Sequence, residues 1–231
     1  QRQDMTGQLQ ILRQIQSRLD PVGFLVLGSF APEPGRARTG VMIGNAGSAM
    51  WPVFAAALEQ QPALRSSANP LDDWTRSVLS PLAREMKAEF RHPSDGPPWQ
   101  PFQRWARDCG TLFQSPLGLN IHPEYGLWSA LRGALILEAE IAGAVSSASH
   151  PCDRCEARPC LSACPVDAFR AHGYSTEDCR QEITGPDRAG CMRDACAARR
   201  ACPVGADWLY EPDHTAFHMT AFREGISRAG G

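Results

Sequence analysis

Eight of the nine cysteines stand after residue 150, and they fall into two runs. The first is Cys152-x2-Cys155-x4-Cys160-x3-Cys164, followed at once by Pro165. The second is Cys179 and then Cys191-x4-Cys196-x5-Cys202, followed by Pro203. The tetrapeptide ACPV occurs in both, at 163–166 and 201–204, which suggests a pseudo-duplicated unit. Thiols this dense dictate what the segment can fold into. Under reducing conditions they are metal ligands before they are disulfides.

Eight thiolates suit two four-thiolate zinc sites or two [4Fe–4S] clusters. The cysteine–proline that closes each run resembles the bacterial two-cluster ferredoxin pattern, in which the fourth cysteine of a run serves the other cluster. That resemblance pairs Cys152, Cys155 and Cys160 with Cys202, and Cys164 with Cys179, Cys191 and Cys196. The middle gap of the first run and both gaps of the second are wider than the ferredoxin spacing, and zinc stays open as the alternative. Cys109 stands alone and reads as a small buried residue.

The remainder describes a globular protein. Of 231 residues 43% are hydrophobic and 21% charged, and the formal charge of −2 leaves no field of one sign to attract nucleic acid or an anionic membrane. The longest apolar segment, ALRGALILEAEIAGAV, is broken by Arg132, Glu138 and Glu140, so no bilayer span is expected. No charged-then-apolar leader is visible, and a cytoplasmic protein is the expectation.

Along the first 150 residues the spacing predicts a helix from Thr6 to Leu19, strands at VGFLVLGSF and GVMIG, and a helix around WPVFAAALEQQ. Asn69 and Pro70 should open a helix that Pro81 kinks or divides. A loop carrying Trp99, Phe102 and Trp105 leads to a short helix, and ALRGALILEAEI reads as a strand. GAVSSASHP marks a boundary near residue 150. The fold class is α+β, with a first domain at 1–150 and a smaller cysteine module with a C-terminal helix at 151–231. On that helix His214 and His218 are one turn apart beside Phe217 and Phe222, as in an amphipathic helix packed on the module. Arg154, Arg158, Arg199 and Arg200 thread the cysteine region and read as solvated surface.

One motif of the first domain carries chemistry of its own. In NIHPEYGLWSALRG, residues 120–133, His122, Tyr125, Trp128 and Arg132 combine an imidazole, two aromatic faces and a fixed cation, a set that suits an aromatic-walled pocket or a plain core cluster. HPEYGLWSALRG resembles the signature of CblC-type cobalamin-processing proteins. The likeness runs back through GVMIGNAGSAMWPVFAAALEQ, NPLDDWTRSV and PPWQPFQRW, roughly residues 25–140. It implies a nitroreductase-like fold that binds cobalamin base-off, with Phe102 and Gln103 lining the corrin and with His122, Tyr125, Trp128 and Arg132 around it. Arg132 matches the arginine that the family associates with its thiol site.

The order of cysteines over 152 to about 205 is similar to the dicluster module of epoxyqueuosine reductase, whose clusters feed electrons to a cobalamin. Together the two likenesses imply an iron–sulfur-dependent cobalamin reductase. It would reduce cobalt or expel its upper ligand, with a ferredoxin or flavodoxin as redox partner. A non-catalytic cobalamin chaperone and a plain ferredoxin-like electron carrier are the alternatives.

Overall fold

The structure is a computed structural model and describes residues 2–33, 35–141, 148–170 and 173–229. The chain divides into two compact units: Gln1–Phe113 with Ser129–Ala148, and Gln114–Trp128 with Ser149–Gly231. Residues 143–147, the greater part of GAVSSASHP, lie outside the described residues.

The first unit is built on an antiparallel sheet of four strands, β1 (Leu25–Phe30), β2 (Thr39–Ala46), β3 (Glu89–Arg91) and β4 (Ser129–Leu137), in the order β1-β2-β4-β3. All eight residues of β2 are buried. Successive side chains of a strand point to opposite faces, so both faces of the sheet are covered at its centre. Val41, Met42 and Ile43 of β2 and Ala134 and Leu135 of β4 are wholly enclosed.

The longer helices of this unit are α1 (Arg2–Leu19), α2 (Trp51–Gln60), α3 (Pro70–Glu85) and α4 (Phe102–Asp108), with a single helical turn at Pro62–Arg65. Helix α1 begins before the expected Thr6. Pro70 occupies the first turn of α3, where its missing N–H costs nothing, but the Asn69 side chain makes no capping bond. The helix is not divided at Pro81 and runs on to Glu85. Its apolar side, including Trp74, Leu79 and Leu82, is buried, and Trp74 meets Phe24 edge-on at 5.2 Å and Phe54 in a tilted contact at 5.3 Å.

Two irregularities interrupt the sheet. The second matters for the site: opposite the step from Ile43 to Gly44, β4 supplies Gly133 and Leu131, so Arg132 is the extra residue of a bulge. Bulges re-aim a side chain out of the regular alternation.

Regular structure is sparse in the second unit. It has a minimal hairpin of β5 (Phe169–Arg170) and β6 (Gly173–Tyr174), then α5 (Thr176–Thr184), single helical turns at Cys191–Asp194 and Ala197–Arg200, and the long α6 (Pro212–Ala229). Ser175 caps α5 through its side chain. Two small cores hold the unit: Trp128, Ala195 and Tyr210 with Trp208, and Ile183, Cys191 and Ile226 with Cys179, Met192 and Met219.

Residues 122–128 belong to the first of these cores. Gly126 and Gly205 both take positive φ, and each backbone lies so close to the other segment that a side chain on either would strike it, the Val204 carbonyl in one case and Tyr125 in the other. Only glycine satisfies both the torsion and the approach. No helix among the described residues is long and apolar enough to cross a membrane.

Candidate functional site

Cys152 and Cys155 flank a short 3-10 turn, Pro151–Arg154, and Cys160 sits in a second one at Pro159–Leu161. Cys202 arrives from the far end of the module. All four line one cavity, with Pro116, Ile121, Pro151, Arg158, Pro159, Pro203 and Val204 as its other walls. Among the described residues no carboxylate or imidazole lines it, and Arg158 is its charged side chain. Burial pushes the thiols of Cys152, Cys160 and Cys202 upward, and neighbouring thiols of the same four raise them further. Backbone N–H groups act against this: those of Cys160 and Leu161 donate to the Cys160 sulfur, and that of Val204 to the Cys202 sulfur.

The second four gather around α5 and the two helical turns. Cys179 feels the thiols of Cys196 and Cys164, and Cys191 feels that of Cys196. Cys191 is buried against Ile183 and Ile226, and that burial pushes its thiol up to about 11. The N–H of Ala168 donates to the Cys164 sulfur at 3.4 Å, and that of Ala197 to the Cys191 sulfur. In each set thiols lie near one another, and backbone N–H groups are aimed at some of them. Four thiolates together repel one another, and a multiply charged metal core would reverse that penalty. Among the described residues no three or more His, Cys, Asp or Glu side chains form a group that could hold a metal ion.

The six side chains singled out for a ligand pocket fall in both units. Phe102 is buried at the start of α4, edge-on to Trp105 at 5.2 Å, while its neighbour Gln103 is exposed. Arg132, re-aimed by the bulge, is buried and donates through Nε to Asn45 Oδ1 at 2.7 Å; Asn45 in turn donates to the Gly47 carbonyl at 3.2 Å. These three belong to the sheet unit.

His122, Tyr125 and Trp128 belong to the cysteine unit. The His122 and Tyr125 rings stack at 4.2 Å, and Trp208 meets Tyr125 edge-on at 4.8 Å. Burial pushes the His122 imidazole down to about 4, so it is neutral at pH 7. The His122 Nδ1 accepts from the N–H groups of Glu124 and Tyr125, which fixes the ring. Trp128 is 1% exposed and lies edge-on to Tyr210 at 5.4 Å.

Sequence reasoning missed what holds this segment. Arg199 is not solvated surface: its Nε and Nη2 both donate to the Leu127 carbonyl, at 2.9 and 2.7 Å, and its guanidinium lies 4.2 Å from the Trp128 ring centroid and 4.6 Å from that of Tyr210. Arg200 likewise donates to the Ala189 carbonyl at 2.8 Å. His150 Nδ1 accepts from the Cys152 N–H at 3.2 Å, fixing the start of the first thiol run. His214 is fully buried and stacked on Tyr210 at 4.0 Å, and its Nε2 lies 3.0 Å from that of His218, so the packed side of α6 carries a polar contact as well as apolar ones.

No known protein-family model matches the chain, and no curated protein matches it in sequence. The fold is similar to a solved structure of a B12-trafficking protein, CblC, from C. elegans, a homologue of human MMACHC. The TM-score is 0.56 at 13% identity, over 94% of this chain and 96% of that one. An alignment of that extent takes in part of the cysteine-rich region as well.

Proposed function

We propose that the protein is a cobalamin-processing oxidoreductase. It would bind cobalamin base-off and deliver one electron at a time to cobalt from two [4Fe–4S] clusters held by its own cysteines. The observation that carries this reading is the convergence of Cys152, Cys155 and Cys160 with the distant Cys202 around one cavity free of carboxylate and imidazole, in a chain with the fold of a B12-trafficking protein.

The donor set fits the cofactor. Thiolates are the ligands iron–sulfur clusters take, and N–H groups directed at the sulfurs are what such clusters use to set their potentials. A cubane also places its four thiolates on four separate irons. They therefore stand farther apart than around one tetrahedral ion. Bound, the two clusters would supply one-electron storage and transfer.

The chain's own residues orient and insulate. Val204, Ala168 and Ala197 present N–H groups, the prolines of the cavity keep water off, and Arg199 ties residues 127–128 to the module. Cobalamin is the substrate: Co(III) with an upper ligand such as cyanide accepts one electron to give Co(II), and the ligand leaves with its electron pair. A low-potential one-electron carrier, a reduced ferredoxin or flavodoxin, would replenish the clusters. Arg132, Phe102, Gln103, His122, Tyr125 and Trp128 are the residues proposed to serve the corrinoid.

The experiment is a cobalamin titration followed by its visible spectrum, then addition of dithionite-reduced protein to bound cobalamin under anaerobic conditions. The reductase reading expects a shift to the base-off spectrum and stoichiometric Co(II); the absence of any spectral change with cobalamin would defeat it. A second reading, a non-catalytic cobalamin carrier with redox-tuning clusters, draws on the trafficking role of the similar structure. It expects the base-off shift without electron transfer.

A further inference from the structure

Residues 92–95 form a turn at the end of β3, and α3 holds that turn through one arginine. Arg76 Nη1 donates to Asp95 Oδ1 at 2.7 Å, and Nη2 donates to Ser94 Oγ at 3.0 Å and to His92 Nδ1 at 3.1 Å. Asp95 closes the turn from within. Its Oδ2 accepts from the His92 N–H at 2.8 Å, and its own N–H donates to the His92 carbonyl at 3.0 Å. The His92 ring is 3% exposed and lies edge-on to Phe90 at 6.2 Å. From this turn the chain runs on through Trp99, which is 66% exposed, to α4.

The contacts at Nδ1 fix the tautomer of His92. A guanidinium and an amide N–H can only donate, and Arg76 at 3.1 Å and the Ser94 N–H at 3.2 Å both meet Nδ1. Nδ1 is therefore an acceptor, with the Ser94 hydroxyl 2.7 Å away. The ring proton is on Nε2, which lies 3.7 Å from Asp72 Oδ1. The charged groups around the ring are Asp72 and Arg76 of α3, Asp95 of the turn and Arg132 of β4. Burial, the largest influence, holds the imidazole below its ordinary value; the two guanidiniums act with it and the two carboxylates against it.

We propose that His92 and Arg76 form a proton-sensitive latch: the 92–95 turn is held to α3 while Nδ1 is bare and is released when Nδ1 takes up a proton. A proton there would set two positively charged donors face to face at 3.1 Å. Arg76 must then swing away, and its bonds to Ser94 and Asp95 go with it. In the released turn His92 is solvated and titrates near ~6.5. The latched form is therefore fully favoured above pH ~6.5 and loses ground as the pH falls below it, because release brings proton uptake. The latch lies wholly within the sheet unit and depends on neither the cobalamin nor the cluster reading.

The test follows amide exchange at His92, Ser94 and Asp95 by nuclear magnetic resonance from pH 7.5 to 5.5, with rates corrected for intrinsic exchange. Wild type is compared with His92→Asn, whose carboxamide oxygen can accept in place of Nδ1 and does not titrate. Below pH ~6.5 the three wild-type amides should lose protection relative to the variant, by as much as tenfold per pH unit. Protection in β2 should match in the two proteins. An equal pH dependence of the three amides in wild type and variant overturns the proposal. If the variant fails to fold, the ring-nitrogen spectrum of wild type decides. At pH 7.5 it should show the Nε2–H tautomer of His92, and a proton on Nδ1 at that pH overturns the latch.

Discussion

The sheet unit and the cysteine unit are held together in different ways. The sheet unit buries a continuous set of large apolar side chains, among them Phe24, Phe54, Trp74 and Leu135, against a four-stranded sheet covered on both faces. Apart from α5 and α6, the cysteine unit has only two-residue strands and short helical turns among its described residues, with small cores such as Trp128–Ala195–Tyr210 and Ile183–Cys191–Ile226. Several of its thiols are pushed upward by burial and by one another. Small modules of this kind depend on a metal for part of their folding free energy. Apolar burial specifies the sheet unit; on the reading proposed above, ligation specifies the cysteine unit, and substitutions should separate the two.

The largest expected effect is on the ligation side. Cys202→Ala or Cys160→Ala should remove about half the iron and sulfide, as loss of one of two clusters requires. It should abolish amide-exchange protection around residues 150–165 and leave the sheet strands protected. Loss of protection in β2 and β4 as well would break the distinction between units. Phe54→Ala should do the reverse, costing about 3–5 kcal/mol in denaturant unfolding of the sheet unit with iron content unchanged.

Smaller effects concern how residues 122–128 are held. Gly126→Ala forces a side chain into a positive φ and against the Val204 carbonyl, a strain of roughly 1–3 kcal/mol before the clash is counted. Differential scanning calorimetry should show the cysteine unit melting earlier, with the sheet unit unshifted. Arg199→Ala removes two charge-assisted hydrogen bonds to one carbonyl and a cation over two rings; about 1.5–3 kcal/mol is expected from hydrogen bonds of this kind. Arg199→Lys should restore only part of it, since a lysine cannot donate as a planar fork.

The smallest effect is on pH. Burial pushes His122 down to about 4, whereas in the unfolded chain it keeps a value near ~6.5. Between those limits the unfolded chain carries a proton that the folded chain does not. His122 therefore makes stability rise with pH from about 4 to about 6.5 and contributes no further slope above. Thermal melts of wild type against His122→Asn should differ in slope below pH ~6.5 and run parallel at higher pH.

Much of this was legible in the sequence where local pattern decides. The apolar runs VGFLVLGSF and GVMIG became β1 and β2, ALRGALILE became β4, and Pro70 opened α3, because burial and torsion act over a few residues. The grouping of the cysteines came from the resemblance to two-cluster ferredoxins, which pairs Cys202 with the first run and Cys164 with the second. Contacts between distant segments were not legible. Trp128 was read with His122, Tyr125 and Arg132 in the first domain, yet it packs on Tyr210 and beneath Arg199, and nothing near residue 128 announces either partner. Arg199 looked like solvated surface because a cation gives no sign in sequence of the carbonyl it will serve. The Arg132 bulge escaped notice because an extra residue in a strand appears only in the pairing register.

The central claim is that the eight clustered cysteines hold two iron–sulfur clusters on a cobalamin-processing fold. Its most direct test is the metal and acid-labile sulfide content of protein purified without exposure to oxygen. The account predicts about eight iron and about eight sulfide per chain, as two four-iron, four-sulfide clusters require. About two zinc per chain with no sulfide would contradict it, since that is the content of two four-thiolate structural sites.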